Sequence, residues 1–246
     1  MGKGPYSSAV GATGQAFLAS SIAKSTGEKD WPDFQLTMAH STESYFIVDN
    51  ATSLFPEKIE VPMSVQAFLG RPKSRGSIKL NPEDPNGPPL IDPQHLMDPR
   101  DMQIALDGVK ETIRIMETTE SYKRLGARFS IVELEDCKDL PERSDEFLIC
   151  YIKHLSRIGC HPSGSNKMGK GSQDPTAVVD SQLRVIGIDG LRVADASVMP
   201  TIVNANTQAA VYAIAERVSE LILQRWQPSK NTRYGRYRFE RKHYGW

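Results

Sequence analysis

The chain has 246 residues, 39% hydrophobic and 24% charged, with 30 basic against 30 acidic side chains and a net charge of zero. That length and balance suit one or two globular domains with a real core, and they give no global electrostatic case for nucleic acid or an anionic membrane as partner. The three cysteines, Cys137, Cys150 and Cys160, form no CxxC pair and no disulfide framework; one disulfide stays open, its pairing not legible, and no apolar run is long enough to cross a bilayer.

The N-terminal stretch MGKGPYSSAV has no apolar signal core, and Tyr6 stands where a myristoylation signal needs Ser or Thr, so the sequence leaves localisation open. Residues 1–30 read as a loop leading to a short helix around Ala16–Ala19 and not as the first strand of a domain. Alternation at Phe34–Met38 and Ser77–Leu80 predicts half-buried strands, and Val61–Leu69 offers a further one. A turn-rich stretch, Asn81–Pro89, follows. Asp98 as N-cap and Pro99 at the first helical position open a helix whose apolar positions run Met102, Ala105, Leu106, Val109, Ile113 and Met116. Residues 144–157 suit a helix, with a strand as the alternative.

From residue 159 the texture changes. A Gly-rich loop (Gly159–Gly171) precedes two short strands, Leu183–Val185 and Leu191–Ala194. A loop from Asp195 to Asn206 then leads into a helix over Thr207–Trp226, with Val211, Ile214, Ala215, Val218, Leu221 and Ile222 in one stripe and Asn204 or Asn206 able to cap its start. The tail, 227–246, mixes basic and aromatic residues and reads as a disordered extension. No nucleic-acid role is expected of it.

The informative stretch is 159–222. It holds GCHPSGSNKMG, then DPTAVVD, a Gly190-Leu191-Arg192-Val193 strand, the Asp195-Ala196-Ser197 turn, and Met199-Pro200-Thr201 entering the last helix. Taken in order these elements resemble the C-terminal signature of the glucose-methanol-choline (GMC) oxidoreductases. Arg71–Ser77 and Pro89–Pro93 are similar to the substrate-domain sheet of the same family. The resemblance implies an FAD-dependent oxidation of a small-molecule alcohol, with oxygen or a quinone taking the electrons. It places the catalytic base at His161 and a second group on the same substrate oxygen at Asn206. It also implies flavin contacts from Asp195, Ala196, Thr207 and Gln208. The chemistry is reasonable: an alcohol proton needs an acceptor near neutral pH, and an imidazole with an ordinary pKa of about 6.5 serves, at a value of roughly 10²–10⁴-fold. An amide fixes the alcohol oxygen. Unpaired N–H groups at a helix start favour the anion that forms on a reduced flavin.

Two departures stand out. Cys160 precedes His161 where relatives often have an aromatic residue, and Gly164-Ser165-Asn166 replaces Gly-Thr-Cys; both touch substrate choice more than reaction type. The dinucleotide-binding GxGxxG turn is missing from the chain, which is therefore expected to be a C-terminal fragment that alone holds FAD poorly. A catalytically inactive remnant acting as a binding protein is the alternative.

Bland roles compete at each position. His161 could be a plain loop residue, Asn206 only a helix cap, and the Asp195 turn only strand-to-loop chemistry. Cys160 beside His161 lacks an orienting third group for nucleophilic catalysis. Gly164–Gly171 nearly spells a phosphate-binding loop, but Gly171 stands where Ser or Thr is required and no helix is expected to follow. His40, His95, His154 and His243 show no metal spacing, and no metal is expected. The fold expected is α/β: an α+β substrate-binding domain with an antiparallel sheet over residues 23–155, preceded by an N-terminal loop and helix over 1–22. Residues 156–226 would be the C-terminal piece of a Rossmann-like FAD domain, completing the flavin site. The strand at Leu191–Ala194 would lie in that piece and present an open edge.

Overall fold

The computed structural model describes residues 12–39, 46–48 and 61–226. Residues 1–11, His40, His243 and the basic aromatic tail lie outside the described residues. The chain divides into two units: the first runs to His161 and includes Thr201–Asn206, and the second comprises Pro162–Pro200 and the chain from Thr207 onward.

The first unit is built on a five-stranded antiparallel sheet in the order β1-β2-β4-β3-β7. Strand β2 (Phe34–Ala39) is the predicted alternating run, and Phe34, Gln35 and Leu36 are all buried, as a central strand requires. It pairs with β1 (Ala12–Leu18) on one side and β4 (Val61–Leu69) on the other. The beginning of β4, Val61–Met63, turns to β3 (Phe46–Val48), which pairs in turn with β7 (Ala127–Phe129). β1 corrects the expectation that the N-terminal region is only loop and helix. Gln15 and Phe17 are exposed while Gly14, Ala16 and Leu18 are partly covered, a strand period too poor in β-branched residues to be seen, and its formation gives β2 a second ladder. The short helix lies further on, at α1 (Ser21–Ser25), capped by Ser20.

Helix α2 (Pro99–Thr118) begins as the sequence dictates: Asp98 accepts from the Arg100 backbone N–H at 2.9 Å, and Pro99 occupies the first turn. Ile104, Ala105, Leu106, Thr112 and Met116 face inward. Gly108 lets the helix lie close to the sheet, since a Cβ there would come within 3.0 Å of the Ala67 methyl. A buried carboxylate fixes the approach: Asp101, fully buried, accepts from the backbone N–H groups of Lys73 and Ser74 at 2.7–3.0 Å. Asp33 does the same for the start of α1 through the Ser20 backbone N–H and hydroxyl.

A short helix α3 (Glu120–Arg124) leads into β7. The main core closes with α4 (Asp145–Leu155), which settles the 144–157 segment as helix: Ser144 accepts from Phe147 N at 3.1 Å, and Phe147, Leu148, Tyr151 and Ile152 pack against Leu106, Met116 and Phe129. Two clamps hold the intervening loop. Cys137 and Cys150 form a disulfide across a separation of 13 residues, worth about 3 kcal/mol in the chain-entropy account. Glu117 takes both Arg143 guanidinium N–H groups and the Phe129 backbone N–H at 2.6–2.9 Å. Burial alone would raise the Glu117 carboxyl, but these three donors outweigh it and hold it below the ordinary carboxylate value.

The Ser77–Leu80 expectation is half met. β5 (Ser77–Lys79) exists and pairs with β6 (Leu90–Asp92), but Ile78, Leu90 and Ile91 are more than half exposed, so this two-stranded ribbon is not a core element.

The second unit has little regular structure. Leu183–Val185 and Leu191–Ala194, expected as strands, make only the isolated bridges Val179↔Val185 and Arg184↔Arg192, and Leu191 is 48% exposed. The reason is local. Asp180 draws the chain into a turn by accepting from Gln182 N, Arg184 N and Arg184 Nε at 2.8–3.0 Å, and Leu183 takes φ 62° inside it. The residues between bridges are spent on turns. A small core of Val179, Leu183, Val198 and Val218 holds the unit, the last from helix α5 (Gln208–Trp226). Of the predicted α5 stripe, Val218 and Leu221 are buried while Ile222 is 41% exposed. After Gly164–Gly171 comes only a three-residue 3₁₀ turn, Gly171–Gln173, which lacks the helix a phosphate-binding loop needs. No helix among the described residues is long and apolar enough to cross a membrane.

Candidate active site

His161 and Asn206, 45 residues apart in sequence, meet in the first unit: Asn206 Nδ2 lies 3.0 Å from His161 Nε2. An amide nitrogen only donates, so Nε2 accepts and carries the lone pair, with the ring proton on Nδ1. The ring is half-buried and Asn206 is exposed, which leaves both open to a small molecule.

Each partner is delivered by a constrained segment. Helix α4 stops at Leu155, and the chain reaches His161 through Gly159 and Cys160. Cys160, an exposed free thiol, takes φ 56°, the left-handed region that a side chain rarely adopts. Such backbone strain gathers at functional sites. On the other side, Asn204 ties down the loop Thr201–Asn206. Its amide nitrogen donates to the Pro32 carbonyl just ahead of β2, and its Oδ1 lies over the Cα of Gly70 at the end of β4. A Cβ at residue 70 would overlap that oxygen, so only glycine fits. Gly70 N donates to Asp33 O at 2.8 Å, knitting the strand ends together beneath the loop. Asn204 was legible in the sequence only as a possible helix cap; its pairing with Gly70 could not be read, because the residues come together through the sheet register.

The other four expected site residues belong to the second unit. Asp195 caps a 3₁₀ turn, Ala196–Val198, by accepting from Ser197 N at 2.8 Å. The turn is braced by a ladder from the Gly-rich loop: Gly164 N to Ala196 O, Asn166 N to Ser197 O and Met168 N to Val198 O, at 2.9–3.3 Å. Asn166 adds a side-chain bond to Ser197 Oγ at 3.0 Å. Gly164, at φ 84°, is the left-handed hinge of that ladder. Thr207 is buried and its carbonyl accepts from Val211 N, while Gln208 opens α5 and lines an open hollow of about 340 Å³ with Val211, Tyr212 and Ala215.

His161 and Asn206 thus share a hydrogen bond in the first unit, and in the second the start of α5 lies beside an exposed apolar hollow. Residues 72–215 match the family described as GMC oxidoreductase, and the chain belongs to that family of FAD-dependent flavoproteins, in its C-terminal part. The chain is 39% identical over 155 residues to the glucose dehydrogenase (FAD, quinone) of Drosophila pseudoobscura pseudoobscura, covering 63% of this chain and 24% of the relative. It is 32% identical over 219 residues to the alcohol dehydrogenase (acceptor) of Pseudomonas putida, covering 86% and 36%. The fold is similar to that of formate oxidase from Aspergillus oryzae RIB40, with TM-score 0.67 and 26% identity over 84% of this chain and 35% of that one. The chain thus spans between about a quarter and a third of the length of these proteins.

Proposed function

We propose that this chain supplies the proton-accepting and substrate-orienting half of an FAD-dependent alcohol oxidation. In this reading residues 23–155 shape the substrate side, and 156–226 complete the flavin site. The observation that carries it is the 3.0 Å contact in which Asn206 Nδ2 donates to His161 Nε2. The contact keeps the basic lone pair on the nitrogen that faces the amide. A substrate hydroxyl entering beside the pair donates its proton to Nε2, while the Asn206 N–H moves onto the alcohol oxygen and steadies the negative charge left there. The proton stays on the imidazole, which is a cation after the step.

The residues fit a flavin in one respect visible in the structure. The first turn of α5 carries no acidic side chain, so the positive end of this 19-residue helix is not neutralised from within. Thr207 and Gln208 would hold the pyrimidine edge there, and Asp195 and Ala196 would lie against the phosphate–ribityl part. When bound, FAD would supply the acceptor for the hydrogen leaving carbon with its electron pair.

The test is anaerobic flavin bleaching. Purified protein held at saturating FAD should bleach the flavin on addition of an alcohol such as glucose or a primary aryl alcohol. His161→Ala should slow bleaching by about 10²–10⁴-fold without loss of bound flavin. Bleaching by His161→Ala at the parent rate, or no bleaching by the folded parent protein at saturating FAD, contradicts the proposal.

A further inference from the structure

Away from the pair just described, the Cys137–Cys150 disulfide has an unusual neighbour. His154, one helical turn beyond Cys150 on α4, places Nδ1 4.0 Å from both sulfurs. Each ring nitrogen has an oxygen nearer than either sulfur: Nδ1 lies 3.0 Å from the Cys150 carbonyl, and Nε2 lies 2.9 Å from an Asp136 carboxylate oxygen. Both oxygens accept, so the arrangement matches a ring that donates from both nitrogens, its protonated, cationic form. Consistent with this, the Cys150 carbonyl first and Asp136 second push the imidazole above its ordinary value, against the opposing effects of desolvation and, after it, Lys153. Cys137, Cys150 and His154 also lie close enough together to hold a metal. Yet the sulfurs are joined to each other and Nδ1 has its proton on a carbonyl, so no ligand lone pair is offered.

A positive ring beside a disulfide has a definite chemical effect. It stabilises a leaving thiolate, and a better leaving group makes exchange faster and reduction easier. The two sulfurs are not equivalent in access, for Cys137 is 1% exposed and Cys150 is only partly covered. We propose that this disulfide is an exchange site for a low-molecular-weight thiol: the external thiolate attacks Cys150 Sγ, the Cys137–Cys150 bond breaks, and Cys137 Sγ departs with the electron pair beside the His154 ring. A second external thiolate then attacks the mixed disulfide and frees Cys150 as a thiolate. Two external thiols leave as one disulfide, and two electrons enter the protein. The reverse sequence, with Cys137 attacking the mixed disulfide, closes the pair again. Asp136 is a positioning residue, since it touches the ring and not the sulfurs.

Glutathione is the probe. In a Cys160→Ser background only the pair can react, so thiol counts after acid quench and alkylation report on it alone. In native buffer with rising reduced-to-oxidised glutathione, the pair should open with the circular-dichroism spectrum retained. Peptide mass mapping should find the glutathione adduct on Cys150. His154→Gln should lower the equilibrium constant for opening by roughly tenfold, and Asp136→Asn should shift it in the same direction by less. An adduct on Cys137, opening only after denaturant is added, or both variants opening at the parent ratio would overturn the proposal.

Discussion

The two units hold their residues in different ways. In the first, a continuous sheet, two long helices and a disulfide surround Leu106, Met116, Phe147 and Leu148, all at most 5% exposed. In the second, a core of four buried residues is enclosed by turns whose order comes from backbone ladders and from carboxylates folding onto their own loops, as Asp180 and Asp195 do. The contrast teaches that groups with proposed chemistry can be carried either on loops tied to the ends of a packed sheet, as with His161 and Asn206, or on turns held by local hydrogen bonding, as with the Asp195 turn.

This contrast can be broken most forcefully in the cores. Leu148→Ala should cost about 3 kcal/mol, and Val198→Ala about 2 kcal/mol. Native-state hydrogen exchange should show the first loss in the amides of β2, β4 and α2, and the second in those around Val178, Val185 and Met168. Equal loss everywhere from either variant would mean that the two units unfold as one. A smaller effect sharpens the packing side. Gly70→Ala should cost roughly 1–2 kcal/mol by overpacking against Asn204, and Asn204→Ala should recover part of that in the double variant. Additive losses in thermal melts would show that the amide does not occupy the space above Gly70.

The mildest effect concerns a local carboxylate. The Arg100 side chain, first, and its backbone N–H hold the Asp98 carboxyl at about 2, below its ordinary 3.8. A depressed folded value means that the capping contribution is complete above the ordinary value and fades as pH falls through about 2. The Arg100 amide resonance should therefore titrate with a midpoint near 2, and a midpoint near 3.8 would show that Asp98 does not cap α2.

Legibility followed the same division. Helix α2 was readable because cap, proline and apolar period agree along one segment, α5 because an apolar period runs through it, and β2 because alternation survives in a central strand. β1 was not, since Gly14 and Ala16 give a strand period little apolar signal. The second unit's bridges were over-read as strands because Leu183–Val185 and Leu191–Val193 have strand composition, while Asp180 spends the backbone on a turn. At the candidate site, the residue identities of His161 and Asn206 came through a motif. Asn204 and Gly70 were hidden because their contact depends on where β2 and β4 end in space.

The account rests on the lone pair of one ring nitrogen, which nitrogen NMR of the imidazole reads directly. Long-range proton–nitrogen correlation at a pH where the ring is neutral should show His161 protonated at Nδ1 and bare at Nε2, with Asn206→Ala moving the proton toward Nε2. A His161 ring that carries its proton on Nε2 in the parent protein, unchanged by Asn206→Ala, would contradict it.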